Sequence, residues 1–269
     1  GIALTGSQSG GIFMGVGGTF SGTATASTAG KTLAFSGSNW NNAGTLRAAG
    51  GTVSLTSNTN TTWASSGTLD LDSGTLNLGG TFNTASFNSL DRDGVAAGTL
   101  ALTGALDNTG ATLLLDDSTG AVLLSGSITG GTLRANNPAG GALVMNGVGY
   151  LIDTTLAGVN GVTGSGLYVV GNGQSMEARG TLTLDGATVR LASTGSSTYL
   201  RGNTSAGLTT LNIAGNGSID FAGADNANND LTAWHGNSTL NVGAGIALTG
   251  SQSGGIFMGV GGTFSGTAT

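Results

Sequence analysis

The phrase Gly-Thr-Leu-x-Leu returns along the chain, at residues 67–71, 98–102 and 180–184. Its period of two puts Leu182 and Leu184 on one face of an extended strand and Thr181 and Thr183 on the other. The phrase also comes in doublets, GTLRAAGGTVSL at 44–55, GTLDLDSGTLNL at 67–78 and GTLTLDGATVRL at 180–191. In each doublet the leading apolar residues (Leu46 and Val53, Leu69 and Leu76, Leu182 and Val189) lie seven positions apart. Seven is odd, so an unbroken strand would turn its second pair outward. Gly51, Gly74 or Gly186 must therefore let the chain bend, and each doublet reads as two strands around a corner.

A coarser spacing follows downstream. Thr-Leu strands place their first Leu at 182, 211 and 240, two equal steps. Strands returning at near-constant intervals without amphipathic helices between them predict a solenoid, in which each coil adds one rung. Rungs of roughly 20–30 residues at about 4.8 Å spacing would give about 8–12 rungs and a rise of roughly 40–60 Å per unit. The rival reading treats Asp72-Ser73-Gly74 and Asp185-Gly186 as hairpin turns in antiparallel sandwich domains. The solenoid is preferred because linkers, aromatic anchors and charged solvent faces are sparse.

Residues 1–25, GIALTGSQSGGIFMGVGGTFSGTAT, recur without substitution at 245–269, an offset of 244. Convergent packing would keep the pattern and let the letters drift, so recent duplication is the simplest cause. The expected organisation is one repeat unit over 1–244, with 245–269 opening the next unit of a longer array. An engineered fusion scar or a single isolated duplication are the alternatives. Nothing at either end reads as a cap, so the isolated chain is expected to aggregate or to fold incompletely.

Composition supports strands and turns. There are 53 Gly but one Pro and 38% hydrophobic residues, which disfavours collagen and disorder. Charged residues make up only 7%, and the net charge of −6 includes no run of Lys or Arg to neutralise a phosphate backbone, so nucleic acid is not an expected partner. No apolar run approaches the about 18 residues of a membrane-spanning helix. The absence of Cys excludes disulfides and says little about compartment.

GTLALTGALDNTGATLLLDDSTGAVLLSGSITGGTLRA at 98–135, LNLGGTFNTASFNSLDRDG at 76–94 and GTLTLDGATVRL at 180–191 give the chain a resemblance to large bacterial repeat proteins of the filamentous haemagglutinin and autotransporter-adhesin type. The resemblance covers essentially the whole chain through degenerate strand-and-turn phrases. It implies an all-β, right-handed parallel β-helix (β-solenoid), secretion to the cell surface, and a role in adhesion, surface coating or fibre formation.

Candidate sites are few. The sole His, His235, has no neighbouring carboxylate in sequence and reads as a turn residue. Asp70 with Asp72, or Asp116 with Asp117, could supply the acids of a β-helix polysaccharide-degrading enzyme, but such pairs in a charge-poor chain are usually solubilising. Oxygens for calcium could come from Asp91-Arg92-Asp93, from 225–230, or from the faint nonapeptide-like echo at 215–220, yet the repeated Gly-Gly-x-Gly-x-Asp motif is missing. Trp40, Trp63 and Trp234 sit among polar residues, as exposed sugar-stacking rings or as half-buried turn plugs. Asn-rich 39–42 and 226–229 read as turns rather than amide ladders. Thr-x-Thr at 23–25 and 181–183 raises an ice-binding face, but Asn212 and Asn241 interrupt it at the next two steps of the even spacing.

The reading is a non-enzymatic structural component of an extracellular bacterial fibre, stalk or filament, with no catalytic, cofactor or metal site and no cofactor. Its expected partners are adjacent repeats, lateral copies or cell-surface glycans. The alternative is an adhesin passenger that binds glycans or receptors.

Overall fold

A computed structural model describes residues 8–55, 61–92, 98–116, 119–136, 143–159, 165–202, 210–224, 228–234 and 237–269, and the backbone of 3–6. The chain is an all-β solenoid of about 10 turns, 64% strand. It divides into two compact units, residues 1–107 with 118–127, and residues 108–117 with 128–269.

In the first unit, strands stack in parallel, each on the one a turn earlier. Ala3–Gly6, Thr23–Ala26, Thr45–Ala48, Thr68–Leu71 and Leu90–Asp91 form one sheet. Gly10–Val16, Thr32–Ser38, Thr52–Leu55, Thr75–Leu78, Thr99–Leu102 and Val122–Leu124 form a second. Thr19–Phe20, Trp40–Asn42 and Trp63–Ser65 form a third. Thr23 pairs with Thr45, and Thr45 in turn with Thr68, so the rungs here are nearly equal in length.

In-register stacking repeats each inward side chain one rung later. Phe35, Leu55, Leu78, Leu102 and Leu124 make one such column, all at 0% exposure. Each contributes on the order of 1.5–3 kcal/mol by leaving water. Alongside runs a chain of rings: Phe20 on Phe35, Phe35 on Trp40, Trp40 on Trp63 and Trp63 on Phe82, with centroids 4.6–6.1 Å apart.

The first two doublets turn corners between separate strands, Leu46 and Val53 being fully buried on Thr45–Ala48 and Thr52–Leu55, and Leu69 and Leu76 on Thr68–Leu71 and Thr75–Leu78. The third lies instead within one strand, Ser175–Ser193, whose irregularity at Gly186 keeps Leu182 and Val189 both buried. The glycines at these corners act in two ways. Gly186 has φ +66° and open space around it, so it serves conformation. Gly44, Gly67 and Gly74 serve close approach: a Cβ on any of them would overlap the carbonyl oxygen of Gly22, Gly44 or Gly51 one rung below. Those same carbonyls accept the N–H of Thr45, Thr68 and Thr75 at 2.8–2.9 Å. The Gly-Thr pair is thus a stacking corner, with Gly bringing the rungs together and Thr closing the hydrogen bond.

The second unit repeats the design. Leu113, Leu133, Leu156 and Leu184 pair in register and are at most 2% exposed. Tyr168 is fully buried, its hydroxyl between the carbonyls of Leu133 and Ala157 at 2.6 and 3.0 Å, and burial raises its pKa. Here the expected even spacing needs correction. Leu211 pairs with Leu240 as expected, but Leu182 pairs with Ile213, because Gly180 takes the place opposite Leu211. A shift of two keeps the same side chains inward, and a bulge between Asp185 and Ala187 absorbs one residue of the difference. The hairpin reading fails: apart from an isolated antiparallel Thr239–Gly259 bridge, the strand registers described are parallel, and Asp72-Ser73-Gly74 is a corner whose three N–H groups converge on the Ala48 carbonyl.

Gly44→Ala is expected to destabilise the fold by about 1–3 kcal/mol through forced separation of the rungs. Gly186→Asn, where only the left-handed backbone matters, should cost less than about 1 kcal/mol. Urea midpoints of the two variants check this, and equal effects would contradict the close-approach account.

Candidate functional site

Outward side chains concentrate charge and aromatic surface on one sheet of the second unit, formed by Val148–Ile152, residues 175–179, Thr198–Gly202, Asn229–Thr232 and Gly254–Phe257. Tyr150, Glu177, Arg201, Thr232 and Phe257 stand in register across its five strands. Arg201 donates from Nε to Glu177 Oε1 at 2.9 Å, and its Nη2 lies 2.6 Å from the same oxygen. Both groups are covered, at 12% and 1% side-chain exposure. A pair withdrawn this far from water holds only while both members are present. Glu177 Oε2 is buried and has no hydrogen-bond partner among the described residues.

The guanidinium of Arg201 also lies 4.1 Å from the centre of the Trp234 ring and 5.1 Å from that of Tyr199. Tyr199 meets Trp234 edge-on at 5.1 Å. Trp234 holds φ +70°, an uncommon conformation for a bulky residue, with its N–H donated to Thr232 Oγ1 at 2.8 Å. Beside this group opens a cleft of about 460 Å³ lined by Tyr199, Asp230, Thr232, Trp234, Ile256 and Phe257. Burial pushes the Asp230 carboxyl above the usual range. The arrangement offers a carboxyl acceptor between aromatic walls, suited to a ligand with both apolar faces and hydroxyl donors.

The tryptophans part company. Trp234 is 37% exposed, whereas Trp40 and Trp63 are 1% and 4% exposed within the ring chain of the first unit. The expectation of three exposed or half-buried rings is corrected: in-register stacking turns Trp40 directly onto Trp63 and carries both into the core. Asp70 and Asp72 both reach Arg47, at 3.3 and 3.0 Å, and Asp220, in the calcium-like echo, is held by Arg190 at 2.7 Å. Arg92 donates to the carbonyls of Thr119 and Gly98, and burial lowers its pKa. His235, Asp93, Asp117 and Asp225 lie outside the described residues. Among the described residues no three His, Cys, Asp or Glu gather in a metal-holding group. Among them, too, no helix is long and apolar enough to cross a membrane.

Asn42 and Asn229 are fully buried corner plugs: Asn42 receives the Gly44 N–H, and Asn229 receives that of Ser193 and donates to the carbonyls of Ala222 and Ser253. One amide pair does form between rungs, Asn241 to Asn212 at 2.9 Å. Threonines align in single columns, Thr32–Thr52–Thr75–Thr99 and Thr112–Thr132–Thr155–Thr183, one per rung beside the corners.

A second locus is the duplicated segment. Its two copies make the same internal pair: Ala3 with Thr23 and Leu4 with Ala24, Ala247 with Thr267 and Leu248 with Ala268. They bond their neighbours through opposite edges. Residues 10–13 pair with 33–36, which follow them, and 254–257 pair with 229–232, which precede them.

No family model, no curated protein and no solved structure matches this chain.

Because the folded-state pKa of Asp230 is raised, the native state binds the proton more tightly than the unfolded chain, and stability falls as pH rises from the ordinary carboxylate range through the raised value. Asp230→Asn should remove that fall, stabilising the protein at neutral pH and leaving it unchanged below the carboxylate range. Denaturation midpoints across pH test this; an unchanged slope would rule it out.

Proposed function

We propose that the chain is a structural segment of an extracellular bacterial fibre, stalk or surface filament built from tandem β-solenoid units, of the filamentous haemagglutinin or autotransporter-adhesin kind. The observation that carries this reading is the duplicated rung. The segment 1–25 and its copy 245–269 keep the same internal register while using opposite edges. A rung in the interior of an array would use both edges at once, so units spanning the stretch 1–244 can follow one another without an unsatisfied strand. Mechanism in such a protein is continuity of the stack rather than turnover, and the columns of buried Leu and aromatic rings supply it.

In-frame insertion of a second copy of the unit 1–244 is the test. The enlarged protein should unfold in one cooperative transition with a roughly doubled m-value. It should also lengthen by about 50 Å, for about 10 turns at ~4.8 Å each. Two independent transitions would defeat the reading.

The cleft at Trp234 favours a second reading, an adhesin passenger that binds glycans. Trp234→Ala should abolish binding on a glycan array while the fold is retained; unaltered binding would exclude this site. Trp40 is no probe of binding, since its truncation removes a core ring at a cost of about 3–5 kcal/mol.

A further inference from the structure

We infer that the place between Tyr199, Asp230 and Trp234 binds an organic ammonium group, with the Asp230 carboxylate as counter-charge and the two rings as walls. The inference takes its location from the adhesin reading and adds a ligand class to it, an amine or quaternary ammonium rather than a neutral sugar.

Charge singles out Asp230. The chain has seven Lys and Arg, and all seven lie among the described residues. Arg47, Arg190 and Arg201 are committed to Asp70 and Asp72, Asp220 and Glu177, and Asp230 forms an ion pair with none of the seven. Glu177 and Arg201 neutralise each other at 2.6 Å, so the carboxylate of Asp230 is the charge left over beside them. An anionic ligand would meet like charge here, and the nearby cation, Arg201, already has its partner.

Geometry keeps that carboxylate open to a ligand. Asp230 lies inside the stack, in register with Tyr199 on one side and Gly255 on the other. A Cβ on Gly255 would lie 2.6 Å from Asp230 Oδ1, and within 4 Å it would meet only that carboxylate. The absent side chain is therefore what gives the acid its room. Burial without a cation raises the Asp230 pKa, so the ionised form is stored at a cost to stability that a bound cation would offset.

The walls suit the same ligand. Trp234 and Tyr199 already hold one cation, the Arg201 guanidinium, 4.1 and 5.1 Å from their ring centres, and both rings also border the cleft with Asp230 and Thr232. Ring faces attract an ammonium group through their quadrupole, and do so more strongly where water is thinned out. A neutral sugar hydrogen-bonds a carboxylate without neutralising it. An ammonium group does both.

The test is calorimetric titration of the full chain with two matched pairs of probes: choline against its neutral carbon isostere dimethylbutanol, and glucosamine oligomers against the same oligomers N-acetylated. The charged member of a pair should bind at least about tenfold tighter, or ~1.4 kcal/mol. Preference in either pair supports the inference and names the source of the group, a quaternary headgroup or an amino sugar; preference in neither overturns it. Asp230→Asn should bring the members of each pair to equal affinity with a melting temperature no lower than that of the wild type, and a preference that survives this change would also overturn the inference. Gly255→Ala, which crowds only the carboxylate, should likewise lose the preference. If N-acetylated oligomers bind as tightly as free amines and Trp234→Ala abolishes both, the ligand class falls and the adhesin reading stands. If choline binds as described while no glycan on an array does, the adhesin reading falls and the ammonium site stands.

Discussion

Thr45 donates its backbone N–H to the carbonyl of Gly22 and Thr68 donates to Gly44, through a gap too narrow for a Cβ. The rest of the fold depends on this contact. It sets the height of each rung at a corner, where a sheet would otherwise splay, and so keeps the flanking strands in register. Register then aligns identical kinds of side chain, and the columns Phe35–Leu55–Leu78–Leu102–Leu124 and Leu113–Leu133–Leu156–Leu184 follow from it. Glycine is abundant because corners such as those at Gly44, Gly67 and Gly74 leave no room for a side chain and others such as Gly186 need a left-handed backbone, at a cost in backbone entropy that a single rung could not offset.

The same regularity explains the outer surface. A parallel stack presents one row of outward residues per strand position, and most rows carry Thr, Ser and Asn. Along such rows Arg47 meets Asp70, Arg190 meets Asp220 and Glu177 meets Arg201. The sheet that bears Arg201 departs from the pattern, because Trp234 and Tyr199 cover the guanidinium and leave Asp230 partly desolvated beside a cleft.

Strand identity, the inward face and the corners were legible in the amino-acid sequence, because period-two alternation and the odd spacing of seven act over a short stretch of chain. The inward burial of Leu182, Leu184 and Val189 follows from that alone. The duplication of residues 1–25 was equally plain, and so was the parity that a shift of two preserves. Which rung lies on which was beyond it. Turn lengths vary, so Leu182 meets Ile213 rather than Leu211, and residues 177, 201, 232 and 257 align at unequal steps that no constant period predicts. Tertiary stacking alone put Trp40 and Trp63 in the core and gathered Glu177, Tyr199, Arg201 and Trp234 into one site, because parallel register acts between residues one turn apart and is decided by the corner contacts, not by the local pattern of either strand.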